Sequence, residues 1–494
     1  LIANFILALA TSAMLVLAFP RFGIAWLAAV AIAPLVVAAA REKRGRFRFL
    51  LGYVAGIAYW FGVCYWIQFA LQTYGGLGVT KSWAAFSLFC LVKALHMGAF
   101  AWLAGFPVGK VYAIPAVAAI WVAIERTHAP LGFAWLALGN AGINMSVPMR
   151  LAPYTGVYGI SFVFAMLATA LAVVLLRRNR RELLWLVSLG CLYLLPPLPV
   201  PRSGNEHAIM VQPNLSEDRE WSGQAVEETV NQLCYLSLHA SLSVKGPPPK
   251  LLIWPEEPAP MYYYDDPAFR EQASQLARLT HAWFLFGTVA YAPHHEPMNS
   301  AVLLSPKGDF AGRYDKMNLV PFGEFVPAWF GFVNKITKEA GDFRPGAKLT
   351  LLDVGDHSIG TFICYEAAFP HFVRRFTATG AELLVNISND GYFGRTAARQ
   401  QHLLLARMRA AENRRWYLRC TNDGLTAVID PAGRVVQSLP PYKSAALVAQ
   451  FSYLQGTTTY TRYGDWFVIF CVIGGAVAII AGSFPVYYKP KQNA

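Results

Sequence analysis

Acidic residues are nearly absent from the first 200 positions of this chain: of the 29 Asp and Glu, only Glu42, Glu125 and Glu182 lie there. The same stretch is a succession of apolar runs, so the two parts of the chain are composed for different solvents. The runs cover 1–19, 22–39, 49–72, 83–107, 111–126, 158–177 and 183–199, and one more follows at 466–485. A helix that crosses a bilayer needs roughly 20 apolar residues. The pattern predicts eight spans, although 111–126 is short and 183–199 ends in LLPPLPVP. Residues 1–19 continue almost directly into the next run and read as a span, not as a cleaved leader.

Charge placement gives these spans a direction. REKRGRFR (41–48) lies between the second and third, RRNRRE (177–182) between the sixth and seventh, and Lys489 and Lys491 follow the eighth. Basic clusters stay on the cytoplasmic side. All three follow an even-numbered span, so one topology satisfies them together: both termini inside, and the region from 200 to 465 outside. The net charge of +13 belongs to short clusters flanking apolar runs, a membrane pattern that argues against nucleic acid as a partner. The seven cysteines contain no CxxC pair; four lie inside apolar runs, leaving Cys234, Cys364 and Cys420 in the polar part.

Residues 200 to about 450 read as a soluble α/β domain. HAIMVQ (207–212), LLIW (251–254), FLFGTVAY (284–291), SAVLLS (300–305), SIGTFICY (358–365) and ELLVNI (382–387) are strand-like, rich in branched and aromatic residues between turn formers. Residues 224–243, 267–281 and 396–413 carry apolar positions at helical spacing, and IDPAGR (429–434) is a turn between strands. This alternation predicts a sheet with helices on its faces. The domain organisation expected is 1–199 as a seven-span membrane domain, 200–450 as the catalytic domain, and 451–494 as a return linker, the last span and a tail.

Three polar residues stand at or after strand ends: Glu256 after LLIWP, Lys316 in RYDKMNLVPFGEFVP (313–327), and Cys364 at the end of GTFIC. Strand ends are where such folds assemble sites. A cysteine nucleophile needs a base and a positive partner, which a carboxylate and an ammonium would supply without histidine. Each residue also has a plainer reading: Cys364 as core filler, Glu256 as a turn or cap carboxylate, Lys316 as a surface lysine. His402 reads as a helix residue with a packing role, and Asn389, Asp390 and Gly391 as a turn with the aromatic pair Tyr392 and Phe393 beside it.

WPEE (254–257), YDKMNLVPFGEFVP (314–327), ICYE (363–366), NISNDGYFG (386–394) and TNDG (421–424) together resemble the nitrilase superfamily. With seven apolar runs before the domain and one after, the whole chain resembles the membrane-bound branch of that superfamily, the apolipoprotein N-acyltransferase family. The resemblance implies a four-layer αββα sandwich fused to a polytopic α-helical membrane domain of eight spans. It implies Glu256 as general base, Lys316 as stabiliser and Cys364 as nucleophile. Glu324, Tyr365 and Glu366 match supporting positions, and Trp221, Tyr392 and Phe393 match positions that shape substrate access. It implies no metal or soluble cofactor. The implied reaction moves an acyl chain from the sn-1 position of a phospholipid, phosphatidylethanolamine being the expected donor, through a cysteine thioester to the N-terminal amine of a diacylglyceryl-modified apolipoprotein, at the outer face of a bacterial inner membrane.

One departure is visible: the family commonly has NDAWF where this chain has NDGYF, which puts Tyr392 where a tryptophan is usual. Glu257 beside Glu256 is expected to cap or pair nearby. MYYY (261–264) and VPAWFGFV (326–333) are expected at the lipid boundary. Two other readings remain. A membrane-tethered nitrilase-type amidase would use the same three residues with water as acceptor. A transporter would carry ionisable residues within its spans, where this chain has few beyond Lys93 and His96.

Overall fold

The computed structural model describes residues 2–129, 133–200, 203–246, 248–257, 259–321, 323–325 and 343–483. The expected boundary segment 326–333 and the basic residues Lys489 and Lys491 lie outside these.

The polar half is built on two six-stranded sheets. The first runs in the order β12-β1-β2-β3-β4-β5 and the second β11-β10-β9-β8-β7-β6. The strands are β1 (Glu206–Gln212), β2 (Leu251–Ile253), β3 (Trp283–Tyr291), β4 (Pro297–Leu304), β5 (Phe310–Asp315), β6 (Leu352–Val354), β7 (His357–Ile363), β8 (Leu383–Ser388), β9 (Tyr417–Thr421), β10 (Ala427–Ile429), β11 (Val435–Ser438) and β12 (Ala445–Phe451). Each sheet has a parallel centre, β1-β2-β3 in one and β7-β8-β9 in the other, with antiparallel strands outside it.

Strand periodicity explains the layering. Side chains alternate between faces. Ile209, Val211, Leu252, Phe284, Phe286, Val302 and Leu304 therefore meet helices Gly223–Leu242 and Pro267–Thr280. Their neighbours Ala208, Met210, Leu251, Ile253, Leu285 and Leu303 turn toward the second sheet, joining Ile359, Ile363, Leu383 and Leu418 in one core. Cys420 of β9 bridges the layers, its thiol reaching the carbonyls of Val211 and Ile253 at 3.2 and 3.4 Å. All seven cysteines are free thiols.

Met261 and Tyr263 correct the expectation for MYYY. Both are buried under helix Pro267–Thr280 against Phe269 and Phe286, so that segment turns into the core and leaves only Tyr262 well exposed. The turn holds them there: Thr288 accepts from the Tyr263 N–H and donates to the Met261 carbonyl.

The apolar half is helical. Among the described residues four helices are long and apolar enough to cross a bilayer by length and composition: Gly45–Cys64, Val79–Ala104, Val157–Leu175 and Trp466–Ser483. Ile2–Ala18 and Ala25–Arg41 are shorter apolar helices. Run 49–72 breaks at Tyr65, and run 111–126 forms the 14-residue helix Ala113–Arg126. Run 183–199 departs from an α-helical span. It is a 3-10 helix, Arg180–Leu194, that stops at the proline pair; its 15 residues at about 2.0 Å each still rise about 30 Å. Helix Gly45–Cys64 meets Val79–Ala104 through Gly52 and Gly56, a small-xxx-small pair. A Cβ on Gly52 would lie 2.2 Å from the Met97 carbonyl, and one on Gly56 2.8 Å from Ala94 Cα. Lys93, buried between these helices, sits 2.6 Å from His128 Nδ1, donates to the Phe133 carbonyl and lies 4.8 Å from the Trp60 ring centre. That set of partners satisfies the ammonium locally.

Gln401, on helix Ala398–Asn413 of the polar half, joins the two halves. Its side-chain oxygen accepts from the indoles of Trp66 and Trp135, and its nitrogen donates to the carbonyls of Pro20 and Val63.

Candidate active site

The site forms where β2, β5, β7 and β8 run out. Glu256 follows β2 in a turn that lies flat on β3 because position 287 is glycine; a Cβ there would stand 2.6 Å from the Glu257 nitrogen. Lys316 directly follows β5. Its own N–H donates to the Asn299 carbonyl, its carbonyl accepts from Gly346, and its side chain is 1% exposed. Its Nζ donates to Glu256 Oε1 and Glu324 Oε1, each at 2.9 Å. These two carboxylates hold the ammonium well above the ordinary lysine range against the cost of burial. Asn299, on β4, donates to the same two oxygens. The other Glu256 oxygen accepts from the Asn389 N–H at 2.9 Å, and the other Glu324 oxygen accepts from Val320 N–H at 2.7 Å. The carboxylates are thus fixed at both ends.

Cys364 directly follows β7 and opens a 3-10 turn, Cys364–Ala368. Its φ is +50°, an uncommon value for a side-chain-bearing residue and one found at strained functional turns. Burial pushes its thiol well above the usual range; Glu256 and Asp390 add to the push, while Lys316 and a hydrogen bond with Ser388 oppose it. The resting group is a neutral thiol, with a carboxylate and an ammonium both in its field.

Glu366 does not join Glu256 and Lys316. Its carboxylate accepts from the Tyr314 hydroxyl and from the N–H groups of Ile363, Met317 and Asn318. It therefore clamps the Cys364 turn to the Lys316 loop, and burial pushes its pKa up to about 7 in spite of these donors.

The membrane half supplies a wall. The Tyr365 ring lies 6.3 Å from both Trp135 and Phe133. Phe393 packs edge-on against Trp66 at 5.0 Å. Tyr392 meets Tyr74 edge-on at 5.4 Å and is half exposed. Trp221 stands apart, partly exposed under the Arg219 guanidinium.

Several participants escape sequence reading. Asn299 is one. Glu217 is another: it accepts from Asn422, lies beside Asn389 and occupies the space over Gly391, where a Cβ would come within 2.2 Å of its Oε1. That contact accounts for the glycine in NDGYF. Glu257, expected to cap or pair, leaves one oxygen unused: its Oε1 is buried without a hydrogen-bond partner among the described residues. Burial, with Glu256 and Glu324 beside it, pushes its pKa up to about 8. His402 is the largest omission. Read as a packing residue, it touches the Cys364 carbonyl at 3.0 Å. Its signal was hidden because the two residues lie on different elements, 38 positions apart. Among the described residues no group of three or more His, Cys, Asp or Glu is arranged to hold a metal ion.

Residues 212–457, which hold the buried Glu256–Lys316 pair and Cys364, match the Carbon-nitrogen hydrolase family. Residues 11–170 match the Apolipoprotein N-acyltransferase N-terminal domain. The chain is 36% identical to the apolipoprotein N-acyltransferase of Geobacter metallireducens, covering 96% of this chain and 94% of that one. It is 32% identical to that of Methylococcus capsulatus, covering 99% and 97%. It belongs to the apolipoprotein N-acyltransferase family and is a membrane-embedded acyltransferase. Among solved structures an amidase from Nesterenkonia sp. is similar at 20% identity over 51% of this chain and 91% of that chain, with a TM-score of 0.38.

Proposed function

We propose that the enzyme takes an acyl chain from the sn-1 ester of a phospholipid, with phosphatidylethanolamine as donor, and passes it by way of a Cys364 thioester to the α-amine of a diacylglyceryl-cysteine lipoprotein. The observation that carries this reading is the buried Lys316 ammonium, shared by Glu256 and Glu324 and acting on the Cys364 thiol. Because the thiol is neutral at rest, attack requires a base at the moment of bonding. Glu256 takes the thiol proton as Sγ bonds to the ester carbonyl carbon. The ester C–O bond breaks, and the proton goes to the departing glycerol oxygen of the lysophospholipid. In the second half the amine nitrogen bonds to the thioester carbon, the C–S bond breaks, and Glu256 carries the amine proton back to sulfur. Lys316 stabilises the oxyanion in both halves. Glu324 keeps the ammonium in place, Glu366 keeps the two loops in register, Tyr392 and Phe393 line the approach, and Trp221, outside that cluster, acts at substrate entry.

The membrane setting fits these substrates, since both keep their acyl chains in a bilayer. In this reading 1–199 is a membrane domain of seven spans, with the 3-10 segment as the seventh. Residues 200–450 form the catalytic domain on the periplasmic face, and 451–494 return through an eighth span, leaving both termini cytoplasmic. The test is the mass of the Cys364 peptide after incubation with phosphatidylethanolamine in mixed micelles. A fatty-acyl adduct, absent in Cys364→Ser and cleared by a diacylglyceryl peptide with a free amine, is expected. Ammonia release from small amides without any adduct would overturn the reading in favour of an amidase.

A further inference from the structure

At the Cys364 carbonyl lies a fully buried polar group made of His402, Asp390, Arg419 and Asn386. A carbonyl oxygen can only accept, so the 3.0 Å contact from His402 Nε2 to the Cys364 carbonyl places a proton on Nε2. The other ring nitrogen, Nδ1, faces Asp390 Oδ1 at 3.0 Å and Arg419 Nη2 at 3.1 Å. Burial and the Arg419 charge push the imidazole below its ordinary range while Asp390 pulls it back up, so the Nδ1 side of the ring is held between a cation and an anion. Arg419 is itself fixed: Nη2 donates to both Asp390 oxygens at 2.8 and 2.7 Å, and Nη1 to Asn386 Oδ1 at 2.6 Å. Asn386 in turn donates to the Phe362 carbonyl at 3.1 Å and reaches the Cys364 carbonyl at 3.5 Å. The His402 ring is flanked by Trp135 and Phe393, each 5.8 Å away, so it has no room to swing out of this register.

We propose that His402 is a positioning residue of the acyl transfer: held on its Nδ1 side by Arg419 and Asp390, it pins the Cys364 carbonyl and so holds the nucleophile's turn at its left-handed φ. The proposal rests on Cys364 being the nucleophile, as above. A left-handed non-glycine conformation persists only where its surroundings over-determine it. The Cys364 carbonyl, gripped by His402 and approached by Asn386, is where that determination is applied. Releasing it lets the residue relax toward an extended conformation, and Sγ then leaves the field of Glu256 and Lys316. The cost falls on the rate of bond formation more than on lipid affinity, because the hydrogen bond removed is to the nucleophile's own carbonyl, whereas the packing against Trp135 and Phe393 is lost alike in His402→Gln and His402→Asn.

The test uses the full-length chain in detergent micelles with two readouts: kcat and KM for acylation of Cys364 by phosphatidylethanolamine, and the rate of Cys364 alkylation by iodoacetamide, followed by peptide mass. In His402→Ala both kcat and the alkylation rate are expected to fall roughly 10- to 100-fold, with KM within about twofold of the parent. His402→Gln, whose amide reaches as far as Nε2, restores most of both. His402→Asn, one methylene shorter, does not. That pair decides the matter even if His402→Ala fails to fold. Equal rates in His402→Gln and His402→Asn, or a folded His402→Ala alkylated as fast as the parent, overturn the proposal. The alkylation arm needs no lipid, so it answers even if phosphatidylethanolamine proves not to be the donor.

Discussion

Asn299 donates one amide nitrogen to Glu256 Oε1 at 2.8 Å and to Glu324 Oε1 at 2.7 Å, the same two oxygens that Lys316 binds. Two carboxylates are thereby held at a single cation with a neutral clamp. Replacing Asn299 with Ala removes that clamp and leaves the carboxylates to repel each other. Thioester formation is expected to slow roughly 10-fold or more, and stability to fall by about 1–3 kcal/mol. Asn299→Asp, which adds a third carboxyl group, is expected to be worse on both counts. Burst-phase acylation and thermal unfolding in micelles measure the two effects.

Lys316→Met keeps the length of the side chain and removes its charge. The two glutamates then face each other, buried and uncompensated, and such a loss typically costs about 3–5 kcal/mol. No Cys364 adduct is expected. Unfolding followed against pH separates this from simple loss of packing, because acid protonates the stranded carboxylates and should recover part of the stability.

Glu257 makes the protein less stable in alkali. Its folded pKa is raised to about 8 from an ordinary value near 4.5. Between those limits the folded state binds more protons than the unfolded one, so stability falls as pH rises through that window. Below pH 4.5 the carboxyl is neutral in both states and the penalty is absent. Glu257→Gln should therefore unfold at a higher temperature than the parent at pH 8.5 and at nearly the same temperature at pH 4. A pair of melting curves at each pH decides it, and an equal gain at both would count against the assignment.

Gly391→Ala places a methyl group within 2.2 Å of Glu217 Oε1. The carboxylate has to leave its place beside Asn389 and Asn422. Combined with Glu217→Ala the methyl has room, so the double variant should be less impaired than the sum of the singles by about 1 kcal/mol. A double-mutant cycle on unfolding free energy gives this coupling, and strict additivity would show that the two residues do not contend for the space.

Gln401→Ala removes all four hydrogen bonds of the interface clamp and strands two indole N–H groups and two carbonyls. At about 1–3 kcal/mol for each buried group left unsatisfied, this should be among the more destabilising single changes, with the melting transition splitting or falling by many degrees.

Much of this was legible in the sequence. The six strands read from branched and aromatic runs are all present, while the two-sheet architecture came from the family resemblance and not from the strands themselves. The strands that went unread show what obscured them. β6 is only three residues long. β9, YLRCT, carries Arg419 at its centre, and a charge inside a central strand contradicts the usual apolar reading unless its partner Asp390 is known. The same limit applies to the site. Glu256, Lys316 and Cys364 announce themselves through motif, but His402 and Asn299 act through contacts between separate elements, and no local period records these. In the apolar half, hydropathy located the segments but not their form. Tyr65 interrupts one run, and the leucine-rich stretch before Pro196 winds as a 3-10 helix, because hydropathy measures solvent preference and carries no backbone geometry.

The Gln401 clamp bears on how relatives of this enzyme could be recombined. One amide reads two tryptophans from the lipid-embedded part and answers two main-chain oxygens there, so neither portion is a detachable module. A chimera that grafts this catalytic portion onto another bacterium's anchor must carry Trp66, Trp135 and Gln401 as a set. Without them the seam opens beside Tyr365, one residue from the Cys364 sulfur.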